Sequence, residues 1–256
     1  MSAADIGFLG MAASGILIAV AVGISLWRSL DLERQLLWAA ARALVQLLLV
    51  GVALQLVVAD DAPLIYSLIW LVAMHVFAAY TTWQRARDIP SVFPLSLLAY
   101  SASAAVTLGV LFGFQVYELE GRTIVPLAGI VVGNSLSATV LVSRRLFDAG
   151  RERRTEIEGR LALGLTAADA FHPVLRESLR TALIPQIEAT KAVGIIALPG
   201  AMVGLILAGT DPADAVQVQV SVMYLVLGSV ATTTAVMSLG ISRKMFTASD
   251  QLIRRS

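Results

Sequence analysis

Arg42 and Gln46 stand one helical turn apart inside an otherwise apolar run. His75 follows Met74 in the middle of another. Asn134, Ser135, Ser137 and Thr139 cluster after Gly129 and Gly133, and Met202 comes just past a Pro199-Gly200 break. Gln217, Gln219, Met223, Tyr224, Thr232, Thr233, Thr234 and Met237 mark a last apolar run. Imidazole and amide oxygen suit ferrous iron, thioether suits softer ions, and a guanidinium suits phosphate. His75, Asn134 and Met202 are the candidate metal ligands. Arg42, Gln46, His75, Asn134, Ser135, Ser137, Met202, Gln219 and Met223 are the candidates for a translocation path. Polar groups in hydrocarbon are costly and face a cavity or a partner. The same groups also serve as hydrogen-bonded struts between helices, and Arg42 can snorkel to an interface. No His-x-x-x-His pair sharpens the metal reading, and with no cysteine there is no thiolate site.

The elements that must position these residues are membrane spans. The 256 residues are 57% hydrophobic and only 14% charged, with a mean hydropathy of +0.80. Soluble domains carry roughly 25% charged residues, so this chain lacks a polar skin. Long uncharged runs cover Ile6–Trp27, Ala43–Ala59, Ala62–Gln84, Ile89–Tyr117, Thr123–Ser143, Ala192–Thr210 and Ala215–Ser242. About 20 apolar residues cross a bilayer, and with flanks each run reaches or approaches that, so seven transmembrane helices are expected. Met1 to Asp5 lacks Lys and Arg, so the first run is expected to remain in the mature protein.

Of 19 basic residues, 17 fall on one side of this arrangement, one (Arg122) on the other, and Arg42 within a span. The positive-inside rule then puts the N-terminus outside and the C-terminus in the cytoplasm. The outer side carries Asp5, Asp60, Asp61, Glu118, Glu120, Asp211 and Asp214. These could gather cations or simply cap helix starts. A net charge of +1 without a basic block gives no reason to expect nucleic acid.

One connection, from Arg144 to Lys191, is far longer than the rest. Leu161, Leu165, Ala168, Leu175, Leu179, Leu183 and Ile187 recur at three- and four-residue steps, the pattern of amphipathic helix. Gly164 is placed to end one helix, and Thr166 with Asp169 to open the next as a capping box. Pro173 predicts a fresh start and Pro185 a kink. The expected product is a helix, a tight elbow, a short exposed helix and a return to the membrane.

That elbow carries a resemblance. Glu158-Gly-Arg-Leu-Ala-Leu-Gly164-Leu-Thr166 resembles the EAA loop of ABC-transporter permeases, in which Glu and a Gly six residues on precede the coupling helix. Gly159 and Arg160 depart from the usual alanines, and Arg176-Glu177 from the usual Leu-Pro. A closer resemblance spans Glu118 to Thr247. Pro126–Thr139 (PLAGIVVGNSLSAT), Thr190–Gly200 (TKAVGIIALPG) and Val222–Thr234 (VMYLVLGSVATTT) are similar to segments of the FetB/YbbM family of ABC permeases, with Ser137 where Asn is usual.

The resemblance implies a permease subunit of an exporter linked to iron or other metals, with plant relatives tied to aluminium tolerance and nucleotide-sugar export. It implies an all-α fold, residues 1–256 forming one transmembrane domain with a coupling loop over 144–191. Glu158, Gly164, Leu165, Thr166, Asp169, Phe171 and Val174 would meet a separate ATPase. No Walker A loop is present, so this chain is expected to be a non-enzymatic transport subunit binding no cofactor of its own, with ATP-Mg held by the partner. A homodimer in the inner (plasma) membrane is expected. Gly109-x-x-x-Gly113, Gly129-x-x-x-Gly133 and Gly200-x-x-x-Gly204 are candidate close-packing faces within or between subunits. Export of a nucleotide sugar is the alternative cargo, and a seven-span receptor without a motor the alternative class.

Overall fold

The computed structural model describes residues 8–57, 63–247 and 249–253. Met1 to Asp5, Asp60, Asp61, Arg254 and Arg255, invoked above, lie outside the described residues. The described chain is all helical: α1 Phe8–Arg28, α2 Glu33–Val57, α3 Leu64–Arg85, α4 Val92–Gly113, α5 Gly121–Glu152, α6 Arg154–Ala162, α7 Ala167–Ala192, α8 Gly200–Leu207 and α9 Pro212–Lys244. Five of these are long and apolar enough to cross a membrane, over Glu33–Gln55, Leu64–Arg85, Val92–Gly113, Gly121–Glu152 and Pro212–Lys244. Ala13–Arg28 of α1 is a shorter apolar helix.

Two of the acids named above, Glu120 and Asp211, act at helix starts. Glu120 caps α5 in a reciprocal box with Thr123 and pairs with Arg122 at 2.7 Å. Asp211 caps α9 by accepting from the Ala213 N–H at 2.8 Å. A carboxylate there satisfies a backbone donor that the helix cannot.

The centre of the bundle is α9, packed against α5 and α4, with α3 and α7 on the flanks. One apolar cluster joins Leu108, Leu127, Val131, Val222 and Val230 along α4, α5 and α9. A second lies at the end where α6, α7 and the C-terminal tail gather, and includes Val142, Leu146, Ile157, Phe171, Val174, Met237 and Leu252. Small hydroxyls fill the seams between. Ser103 Oγ donates across to the Ser229 carbonyl at 3.0 Å. Thr107, Thr139, Ser143, Thr233 and Thr234 instead donate to carbonyls one turn back on their own helices.

α1 and α2 form a hairpin that packs mainly on itself. Ser25 closes its turn, donating to Glu33 Oε1 at 2.6 Å while accepting from the Leu32 N–H. The hairpin approaches the core where the Val57 carbonyl sits over Gly121, a spot that any Cβ would fill.

Two expectations change. First, α7 runs unbroken through Pro173 and Pro185 for 26 residues, so there is no short exposed helix between them. Interior proline costs about 3 kcal/mol, and burial of Ala170, Phe171, Val174, Ser178 and Ala182 along one face offsets it. Second, Ala192–Thr210 is not one helix. The chain leaves α7 at Ala192, turns with Gly194 at φ +85°, and resumes at Gly200 as the eight-residue α8. At 1.5 Å per residue α8 is about 12 Å long, far short of a bilayer.

Candidate functional site

The elbow between α6 and α7 is formed as its residues dictate. α6 ends at Ala162, and Gly164 takes φ +88°, a left-handed turn that side-chain-bearing residues rarely adopt. Thr166 then caps α7, its Oγ1 accepting from the Asp169 N–H at 3.2 Å and donating to Asp169 Oδ2 at 2.7 Å. Leu163 and Leu165 sit on the turn at 82% and 39% exposure.

Charges lock the elbow to its neighbours. Glu158 pairs with Arg154 at 2.5 Å one turn earlier. Arg153 bridges Glu156 at 2.8 Å and Glu177 of α7 at 2.9 Å, and Arg160 also reaches Glu156 at 2.8 Å. The hydrogen bond from Arg153, with Arg160 adding positive charge, holds the Glu156 carboxyl below its ordinary pKa, and the same contact raises Arg153.

Phe171 and Val174 do not belong to this outer surface. Both are buried in the core cluster, because the apolar stripe of α7 turns inward against α5 and α9. Phe171 meets Phe246 edge-on, beyond the end of α9. The tail folds back there: Thr247 N–H donates to the Gln251 carbonyl and Ile253 N–H to the Met245 carbonyl, each at 2.9 Å. Leu252 is buried, and its carbonyl accepts from Arg154 at 3.5 Å. Sequence reasoning missed both Leu163 and this tail; Phe246, Leu252 and Ile253, apolar amid tail charges, were the available signal.

Arg144 anchors the α3–α4 turn to α5, donating from Nε to the Arg85 carbonyl at 2.8 Å and pairing with Asp88 at 3.4 Å.

In the apolar region the candidates occupy different surfaces. Arg42 and Gln46 are exposed on α2. His75 is buried between α3 and α4, with Nδ1 2.6 Å from the Leu71 carbonyl and Nε2 3.2 Å from the Tyr100 carbonyl. Both ring nitrogens face carbonyl acceptors, of which a neutral imidazole donates to one, so His75 bridges α3 and α4 as a hydrogen-bonded group. Asn134 and Ser137 lie on an exposed face of α5, with Asn134 Nδ2 donating to the Ile130 carbonyl at 2.8 Å. Met202 is half-buried on α8, which packs chiefly on α9. His75 thus lies in the α3–α4 seam, Asn134 on an exposed face of α5, and Met202 on α8 against α9. Among the described residues no group of three His, Asp or Glu could hold a metal ion.

Ser135 and Gln219 are buried, and Ser135 Oγ and Gln219 Oε1 have no hydrogen-bond partner. Met223 is half-buried beside Gln219 on α9. Gly109, Gly113, Gly133, Gly200 and Gly204 have open space where a Cβ would point, and Gly129 faces Met74. The small-residue motifs are thus unused within this subunit, apart from Gly129.

Comparison with known proteins covers nearly all of this architecture. The chain is 35% identical to the UPF0014 membrane protein STAR2 of Oryza sativa subsp. japonica, over 91% of this chain and 81% of that protein. It is 33% identical to the Probable iron export permease protein FetB of Escherichia coli (strain K12), over 93% and 92%. It is 30% identical to Protein ALUMINUM SENSITIVE 3 of Arabidopsis thaliana, over 91% and 84%. No solved structure matches. The model of the Uncharacterised protein family (UPF0014) matches residues 8–246. With this family match from α1 to the tail aromatic Phe246, the chain belongs to the Uncharacterised protein family UPF0014.

Proposed function

We propose that this chain is the membrane subunit of an ATP-binding-cassette exporter, driven by a separate ATPase and moving iron or a related metal ion across the inner (plasma) membrane. The observation that carries this reading is the elbow. Leu163 and Leu165 present an exposed apolar turn, capped by Thr166 and braced by ion pairs, between the nine-residue α6 and the long α7 that runs on into the bundle. An ATPase groove that receives this turn pushes on α7 directly.

The reading completes the membrane topology as seven crossings with the N-terminus outside. α1 supplies the first, and the far half of α7 together with α8 makes a discontinuous sixth. Broken helices in membranes line cavities, because freed carbonyls need partners. Two copies assemble, since Arg42 and Gln46 on α2 and the open glycine faces have no cover in one subunit. Intramembrane cations face a bundle interior rather than lipid. Ser135, Gln219, Met223, Asn134 and Ser137 offer oxygen and thioether groups to a passing ion, and iron is the cargo named for the Escherichia coli relative.

A second reading rests on Arg42, which makes no ion pair among the described residues and suits a phosphorylated organic cargo such as a nucleotide sugar. Co-reconstitution with the cognate ATPase in proteoliposomes separates the two. ATP-dependent movement of ferrous iron, reduced by Asn134→Ala or Gln219→Ala, supports the metal path. Movement of a UDP-sugar that is abolished by Arg42→Ala and indifferent to iron overturns it.

A further inference from the structure

A cavity of about 840 Å³ opens where α5, α6 and the end of α9 meet the tail. Its floor is apolar and includes Phe147 and Ile241, while its rim carries Arg151, Arg154 and Lys244 against a single carboxylate, Glu158. Glu158 is engaged by Arg154. Lys244 has no ion pair among the described residues, and Arg151 has only the Phe147 ring beneath its guanidinium, 5.8 Å from the centroid. Two cations without counter-ions therefore border an apolar hollow.

The hollow also lies at a telling height. It is lined by Ile89 and Pro90 of the turn that joins α3 to α4, and by the last turn of α9, where both apolar stretches end. Arg144 ties that turn to α5 one helical turn before Phe147 and two before Arg151. An apolar floor and a cationic rim at the end of the spans match a molecule with a phosphate head and a hydrocarbon body. Arg151 and Lys244 take part in neither the elbow's ion pairs nor the cargo path, whereas Arg154 and Glu158 also brace the elbow.

We propose that this cavity binds the phosphate of an anionic ligand through Arg151 and Lys244, with an inner-leaflet phospholipid as the source that its apolar floor fits. The cavity and its charges do not depend on the transport reading; only the assignment to the inner leaflet rests on the proposed orientation.

The test uses the full chain in neutral detergent, titrated separately with dioctanoyl phosphatidylglycerol, dioctanoyl phosphatidylcholine and inorganic phosphate. Phosphatidylglycerol is expected to bind and to raise the melting temperature. The Arg151→Gln/Lys244→Gln variant should bind it about thirtyfold more weakly, from a surface attraction of roughly 1 kcal/mol per cation. Arg176→Gln/Arg180→Gln, with the same charge change on exposed α7, should bind as the unaltered chain does. A melting temperature without ligand that matches the unaltered chain keeps the double variant interpretable. Ile253→Trp, which fills the hollow and spares both cations, gives an independent reading should that variant fold poorly. Phosphatidylglycerol binding lost in Ile253→Trp assigns the lipid, whereas inorganic phosphate binding that survives Ile253→Trp and is lost in the double variant assigns a soluble phosphate. Equal binding of phosphatidylcholine, or no loss in either cavity variant, overturns the proposal.

Discussion

The ring of Phe171 stands edge-on to that of Phe246, centroids 5.7 Å apart and planes at 80°. Phe171 is on the first turns of α7, just past the elbow, and Phe246 follows the end of α9. Through this pair the first turns of α7 meet the segment that follows the longest helix of the bundle. Aromatic pairs of this geometry contribute about 0.5–1.5 kcal/mol beyond burial. Phe171→Ala should cost about 3–5 kcal/mol of stability, with Phe246→Ala costing less because it is half-buried. A double-mutant cycle read by thermal melting should return a coupling of about 1 kcal/mol; additivity of the two losses would show that the rings do not act together.

Leu163 and Leu165 contribute little to the fold, being exposed. Leu163→Asp with Leu165→Asp should leave the melting temperature within about 2 °C, since surface changes away from the core lie within about ±0.5 kcal/mol. Co-purification of the ATPase should fall at least tenfold. Retention of the ATPase at the original level would remove the elbow from the interface.

His75 is expected to behave as a strut. His75→Leu leaves the buried Leu71 and Tyr100 carbonyls short of a donor, at a cost of about 1–3 kcal/mol. Transport per folded molecule should be unchanged, measured in proteoliposomes normalised to folded protein. A selective loss of iron flux at unaltered stability would restore His75 to the cargo path.

Acid should loosen the elbow before the bundle. The Glu156 carboxyl titrates below its ordinary value of 4.5 in the folded chain. Its contribution is therefore full above that value and is lost as pH falls through the lower folded pKa. Hydrogen exchange on α6 amides, taken relative to their intrinsic rates, should accelerate as pH falls below 4.5 while α4 amides stay protected. Glu156→Gln should show the same fast exchange at neutral pH, and an unchanged pH profile in that variant would contradict the assignment.

Gly150 is a packing glycine. A methyl group there would overlap the Met245 side chain and touch Phe171. Gly133→Ala and Gly204→Ala, which meet open space, should raise monomer stability by about 0.5–1 kcal/mol, whereas Gly150→Ala should gain less, because the end of the Met245 side chain must move aside. Cross-linking yield in membranes is the second readout for those two: a fall at Gly133 or Gly204 marks the contact between copies.

Much of this was legible in the residues. Uninterrupted apolar runs gave α3, α4, α5 and α9 almost to their ends, because nothing but a buried or lipid-facing helix accommodates them. Gly164, Thr166 and Asp169 foretold the elbow through local backbone chemistry alone. What stayed hidden depends on neighbours. Pro173 and Pro185 read as breaks, yet α5 and α9 hold the helix through both. Phe171 and Val174 fit either an outward or an inward stripe until the packing partner is known. His75 fits either a ligand or a hydrogen-bonded strut in the sequence, and the carbonyls of Leu71 and Tyr100 that it faces become visible only in the fold. The tail hairpin over Met245–Ile253 has no periodicity to read.

α5 and α9 span 32 and 33 residues without a break and pass the level of Arg144 as continuous rods. A rod cannot bend at the membrane surface without losing backbone hydrogen bonds. Whatever stroke reaches the elbow must therefore arrive at the opposite face as tilt, scaled by the ratio of the two arms. Under the proposed function the two helices would act as levers pivoting at the hydroxyl-lined seams, where small side chains bring helices close. Shortening or kinking either arm, rather than altering any group that touches cargo, would then change how far the outer mouth opens per stroke.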